Sequence, residues 1–196
     1  MLLNKVEKLL MNNPVRGAVQ RHYEARRLRH MGGIMAGGRA LEIGCGRGVG
    51  VEIILDRFGA DTVDAFDLDA DMVRRAQARL ARFGDRVSLW TGDATAIPAD
   101  DDTYDAVFDF GIIHHIPDWR AALREVHRVL RPGGLLYADE IYEKFLRHPL
   151  VRALLAHPGD DRFDHARFAR ALEGVGLRVV ASYDEGHFGF FVARKV

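Results

Sequence analysis

Glu42, Asp67 and Asp93 each follow a short apolar run, and a dense set of glycines follows the first of them. In "ALEIGCGRGVG", residues 40–50, glycine holds positions 44, 46, 48 and 50. Glycine at this density suits a backbone that a ligand must approach closely. A dinucleotide fingerprint needs G-x-G-x-x-G/A; counted from Gly44, its last position is Val49. A P-loop needs G-x-x-x-x-G-K-[ST], and residues 44–50 hold no lysine. The pattern that fits is acid-x-G-x-G-x-G, with Glu42, Gly44, Gly46 and Gly48. Further along, His114 and His115 form a pair that titrates near neutrality when unperturbed, which suits a general base.

The elements that must position these residues alternate. "RALEI" is a short strand, and after the glycine loop a helix runs through "VEIILDRF" to Gly59. "TVDAFDLD" is a second strand, and Asp69 caps a helix carrying Met72, Val73, Ala76, Leu80 and Phe83 on one face, with Gly84 as its stop. "RVSLW" and "YDAVFDF" are the third and fourth strands. Asp118 caps a helix with Trp119, Ala122, Leu123, Val126, Val129 and Leu130 inward, closed by "RPGG", and "LLYADE" is the fifth strand. After a variable segment, 141–160, a helix near 164–173 precedes the strands "LRVVASY" and "HFGFFVARK". Those last two are joined by only "DEG", so they must be antiparallel. Alternating strands and helices predict a parallel sheet covered on both faces, with ligands beyond the carboxyl ends of the strands.

Residues 1–39 read as helical. Leu2, Leu3, Val6, Leu9 and Leu10 share a face, and Asn13 and Pro14 open a second helix that ends at Gly32–Gly33. The N-terminus carries Lys5, Glu7 and Lys8 where a signal peptide would be apolar, and no apolar run is long enough to span a bilayer. Lysine plus arginine and aspartate plus glutamate balance at 28 each, so no global field draws the chain to nucleic acid. With 196 residues and one cysteine, a single domain in a reducing cytoplasm is expected.

In register over residues 39–140, the chain resembles the class I S-adenosylmethionine (AdoMet)-dependent methyltransferases. "LEIGCGRG", "AFDLDADMVRRA", "TGDATAIP", "YDAVFDFGIIHHIPD" and "LRPGGLLY" are similar to that family's successive motifs. The resemblance implies a Rossmann-like α/β three-layer sandwich: a mostly parallel seven-stranded sheet of order 3-2-1-4-5-7-6, an antiparallel terminal hairpin and an N-terminal helical lid. It implies one domain over 1–196, with a helical cap (1–38), a cofactor core (39–140) and a substrate-side segment with the hairpin (141–196).

The same resemblance suggests roles. Gly44, Gly46 and Gly48 let the backbone pass the methionine and ribose portions, with Cys45 a small residue inside the loop. Glu42 lies under the methionine ammonium, or caps the loop from within. Asp67 meets the ribose hydroxyls, Leu68 packs on the adenine, and Asp93 with the Ala94 amide meets the adenine amino group and ring. Phe110 and Gly111 offer a backbone carbonyl. Arg47 either reaches the methionine carboxylate or points to solvent, and Tyr23 and Arg21 either fold over the cofactor or belong to a solvated basic face.

The expected activity is methyl transfer to a small-molecule O, N, S or C nucleophile, leaving S-adenosyl-L-homocysteine. His114, His115, Asp139 or Glu140 becomes the base if a hydroxyl must be activated. No metal, nucleic acid or membrane span is expected. Two other readings stand beside this one: a non-catalytic AdoMet-binding regulatory module, and a nicotinamide-dependent dehydrogenase.

Overall fold

The structure is a computed structural model that describes residues 13–146 and 161–196. The face of Leu2, Leu3, Val6, Leu9 and Leu10 and most of the variable segment lie outside the described residues. Among the described residues, seven strands form one sheet: β1 (Arg39–Ile43), β2 (Thr62–Asp67), β3 (Val87–Thr91), β4 (Tyr104–Phe110), β5 (Leu130–Ile141), β6 (Leu177–Asp184) and β7 (Phe188–Lys195). Their order is β3-β2-β1-β4-β5-β7-β6, as expected. β1 pairs in parallel with both β2 and β4, whereas β7 runs antiparallel between β5 and β6.

Helix α1 covers 14–32 and consists of Pro14–Val19, a π-helical turn Gln20–Glu24, and Ala25–Gly32. Asn13 caps it by accepting from the Arg16 amide at 2.8 Å, with Pro14 in the first turn where its missing N–H costs nothing. Helix α2 covers 49–58 and stops at Gly59, which has φ +79°. Helix α3 (Ala70–Leu80) is capped by Asp69, α4 (Trp119–Val129) by Asp118 and α5 (His165–Gly174) by Asp164.

The apolar stripes read from sequence face the sheet. Trp119, Leu123 and Val126 of α4 pack with Phe168 and Leu172 of α5 on one face. Leu28 of α1, Val51 and Phe58 of α2, and Ala76 and Leu80 of α3 pack on the other. Each such Leu or Phe contributes about 1.5–3 kcal/mol through burial. These two layers leave the carboxyl ends of β1–β4 open.

One boundary differs from the sequence reading. "RPGG" does not close α4; it lies inside β5, which begins at Leu130. The pairing with β4 shifts there, from Tyr104↔Leu130 to Ala106↔Leu135. Pro132 cannot donate to a ladder, and Gly133 takes φ +82°, so the segment forms an irregularity in the strand.

Candidate functional site

A cleft of about 380 Å³ lies beyond the ends of β1, β2, β3 and β4, closed from above by the first turns of α1. Glu42, Gly44, Cys45, Gly46, Asp67, Leu68, Asp93, Ala94, Phe110 and His115, all expected from sequence, line it. Gly48, Gly111, His114, Tyr23 and Arg21 do not.

The glycine loop arches over Glu42. A Cβ at Gly44 would stand 2.6 Å from Ile112, and one at Gly50 only 1.8 Å from Glu42 Oε1. Gly46, with φ +50°, has nothing within 4 Å of that position, so its open side faces the cleft it lines. Gly48 serves the backbone instead: it has φ +82°, and a Cβ there would meet Leu80 at 2.7 Å. Glu42 is buried and, among the described residues, its Oε2 has no hydrogen-bond partner. Burial first, then the nearby Asp67, push its carboxyl well above the usual carboxylate range.

Asp67 ties two elements together, accepting from the Gly46 amide at 2.9 Å through Oδ2 and from the Asp69 amide at 2.8 Å through Oδ1. Leu68 stands exposed on the rim. Asp69 accepts from the Asp71 amide at 2.9 Å, which makes it the cap of α3. Asp93 accepts from the Thr95 amide and hydroxyl, both at 2.8 Å and both through Oδ1. Cys45 is buried, and burial, Glu42 and Asp67 all raise its thiol pKa, so it is held as an unreactive thiol.

The two histidines part company. Their rings lie 4.1 Å apart, but only His115 lines the cleft. His114 is buried against Glu140, its Nδ1 2.6 Å from Oε2. Burial pushes the imidazole pKa down to about 3, so the ring is neutral at pH 7, with Nδ1 sharing a hydrogen bond with the Glu140 carboxyl. Glu140 also accepts from the Ile113 amide at 2.7 Å and the His114 amide at 3.3 Å. It therefore anchors the turn Ile113–His115 from inside.

The leading helix covers the cleft with residues other than those expected. Arg16, Gly17 and Gln20 line it, whereas Arg21 pairs with Glu52 at 2.9 Å, and Tyr23 hydrogen-bonds Glu185 on the terminal hairpin. In an unbroken α-helix, Arg16, Gln20 and Tyr23 would share one face. The π-helical turn at Gln20–Glu24 shifts that phase by a residue, so Glu24 rather than Tyr23 aligns with Arg16. Arg16 Nη1 and Glu24 Oε2 are 2.6 Å apart. Glu24 in turn hydrogen-bonds Asp139, whose carboxyl is pushed well above the usual range by burial and by Glu24. Periodicity alone does not register a π-turn, so Arg16 was legible only as part of a basic face. Among the described residues, no cluster of His, Cys, Asp or Glu could hold a metal, and no helix is long and apolar enough to cross a membrane.

A family model described as "Methyltransferase domain" matches residues 40–134. A probable phthiotriol/phenolphthiotriol dimycocerosates methyltransferase of Mycobacterium ulcerans is 35% identical over 155 residues, covering 76% of this chain and 57% of that protein. A demethylmenaquinone methyltransferase of Mycolicibacterium paratuberculosis is 34% identical, covering 74% of this chain and 65% of that one. This chain thus spans little more than half the length of these relatives. A solved SAM-dependent methyltransferase from Aquifex aeolicus superposes with a TM-score of 0.76 at 22% identity, covering 98% of this chain and 97% of the other, which shows the shared fold.

Proposed function

Because the chain belongs to the class I S-adenosylmethionine-dependent methyltransferases, we propose that it moves the AdoMet methyl group to a small-molecule O, N, S or C nucleophile, with S-adenosyl-L-homocysteine as product. The observation that carries this is the set of acidic side chains at three neighbouring strand ends: Glu42, the penultimate residue of β1, Asp67, the last residue of β2, and Asp93, just past β3. Such a lining suits a ligand with an ammonium, a ribose diol and an exocyclic amine. It does not suit a pyrophosphate.

The residues fit AdoMet. Glu42 keeps a buried oxygen that has no partner among the described residues and would meet the ammonium, and Asp67 is held by two amides with its carboxylate at the cleft for the ribose. Asp93 and the Ala94 amide would hold the adenine edge, with Leu68 and Ile116 lining the cleft beside it. Gly44 and Gly46 would give the backbone approach, and the strand-end carbonyl at Phe110 would complete the methionine end. Bound AdoMet would supply an electrophilic methyl on its sulfonium. The protein's part is to align the acceptor and to exclude water, with the first turns of α1 as cover; well-oriented systems gain about 7–11 kcal/mol this way. His115, which lines the cleft, would take the proton of a hydroxyl acceptor, since His114 is engaged with Glu140.

Relatives named for dimycocerosates and for demethylmenaquinone support a small acceptor. So does the balanced charge, which offers no field for a polyanion. In this reading the core 39–140 holds the cofactor, while 1–38 and 141–196 bound the acceptor.

Calorimetry with AdoMet and with NADH tests the cofactor; heat with NADH alone would overturn the reading. Methyl-labelled AdoMet incubated with a metabolite extract, followed by mass spectrometry of labelled products, tests the transfer. AdoMet binding without any labelled product would favour a regulatory module.

A further inference from the structure

We propose that Arg16 is the residue that holds the α-carboxylate of the bound cofactor, with Glu24 as the internal carboxylate that occupies part of its guanidinium beforehand. This rests on the AdoMet reading above and adds a partner for the one anionic group of that molecule.

The sheet supplies a ruler. Asp93, Asp67, Glu42 and Phe110 mark the carboxyl ends of β3, β2, β1 and β4, which are neighbours in that order. Three strand spacings span about 14 Å. With the adenine at Asp93 and the ribose at Asp67, the amino-acid end reaches Glu42 and Phe110. Those two side chains and Gly50 meet there: a Cβ at Gly50 would stand 1.8 Å from Glu42 Oε1 and 2.9 Å from Phe110 Cδ2. This end is crowded with acidic residues, since Asp109 is buried near Glu42 and Asp139 beside Gly111. A ligand carboxylate needs a cation there.

Among the described residues, two arginines line the cleft, Arg16 and Arg47. Arg47 has arginines 75 and 79 of α3 as its charged neighbours. Since α3 packs beside Gly48 through Ala76 and Leu80, Arg47 belongs to the β2 side of the loop. Arg16 lies on the β4 side. Its Nη2 is 4.0 Å from where a Gly111 Cβ would be, directly past the end of β4. Gly17, the next residue, rides over Val49 at the start of α2, and a Cβ there would still clear it by 3.9 Å. α1 is thereby brought close over the amino-acid end. Glu24 engages Nη1, and a guanidinium carries five N–H donors in a planar fork, so a second carboxylate can be taken on the Nη2 edge.

A carboxylate at this place could belong to the cofactor or to an acidic acceptor, and Arg16 could equally be no more than a latch between α1 and the sheet. Decarboxylated AdoMet, which lacks only the carboxylate, separates these. Arg16→Met is expected to weaken AdoMet binding by at least tenfold in calorimetry while changing decarboxylated AdoMet by less than twofold. Glu24→Gln, which removes the internal competitor, should tighten AdoMet and leave decarboxylated AdoMet unchanged. Should Arg16→Met melt, Arg16→Lys keeps the charge without the fork and should show a smaller but still selective loss. Equal losses for both ligands would make Arg16 a latch and overturn the inference. Unchanged affinity for both would overturn it in favour of a role towards the acceptor. Absence of AdoMet binding by the wild-type protein would overturn the cofactor reading itself, and this inference with it.

Discussion

Asp67 Oδ2 accepts a hydrogen bond from the Gly46 amide at 2.9 Å, so the end of β2 holds the glycine loop that follows β1. One carboxylate thus shapes the loop and faces the cleft. Asp67→Ala removes both contributions. Charge-assisted hydrogen bonds contribute about 1.5–3 kcal/mol each, so AdoMet affinity should fall at least tenfold by calorimetry. An affinity unchanged within error would remove Asp67 from the ribose contact.

Asp69, two residues on, should behave differently. It caps α3 through the Asp71 amide, so Asp69→Ala should cost about 0.5–2 kcal/mol of stability. Asp69→Asn keeps a good cap and should be neutral to denaturant unfolding. A large loss of AdoMet affinity in Asp69→Asn, with stability intact, would instead make Asp69 a ligand contact.

Gly50→Ala tests the packing beneath the loop. The added methyl would collide with Glu42 Oε1 and press on Phe110. Overpacking of this kind costs about 1–3 kcal/mol, and a lower thermal midpoint together with weaker AdoMet binding is expected. An unchanged midpoint would mean that Glu42 moves aside freely.

Protonation inside the β4–β5 end sets a pH signature. His114 is held down to a pKa of about 3 from an ordinary 6.5 by burial. Between those values the unfolded chain binds a proton that the folded one does not, so stability falls as pH drops below 6.5. Glu140 works in the opposite sense. Burial pushes it up to about 7 from 4.5, and its contribution declines as pH rises through that window. In thermal melts across this range, His114→Gln should flatten the acid limb, and Glu140→Gln should remove the decline between 4.5 and 7. Parallel curves for wild type and His114→Gln would show that this imidazole is not held neutral.

Tyr23 serves the scaffold. Its hydroxyl meets Glu185, its ring meets Phe190 edge-on at 6.0 Å, and Arg27 pairs with the same Glu185 at 2.9 Å. Tyr23→Phe should therefore leave AdoMet affinity within twofold, as a calorimetric titration would show. A loss comparable to that expected for Arg16→Met would return Tyr23 to the cleft.

The alternation of short apolar runs with amphipathic helices, the caps Asn13, Asp69 and Asp118, and the glycines of the first loop were all legible in the sequence. Each is a local signal: a period, a capping oxygen, or a backbone conformation that glycine adopts without strain. From these follow a mostly parallel sheet and the place of the cleft at its strand ends; the strand order and the roles of Asp67 and Asp93 come from the resemblance of the successive motifs to the AdoMet methyltransferases.

Other features needed contacts between distant parts of the chain. The π-helical turn at Gln20–Glu24 rotates α1 so that Arg16 and Gln20 meet the cleft while Tyr23 turns to the hairpin, against the phase that an unbroken 3.6-residue period predicts. "HH" reads as two equivalent imidazoles, yet Glu140, 26 residues beyond His114, takes one into the interior and leaves the other in the cleft. "RPGG" reads as a helix stop but sits within β5, because β4 offers it a partner strand. Periodicity reports which face of an element is apolar. Which polar side chain meets the ligand is decided by the packing of elements far apart in sequence.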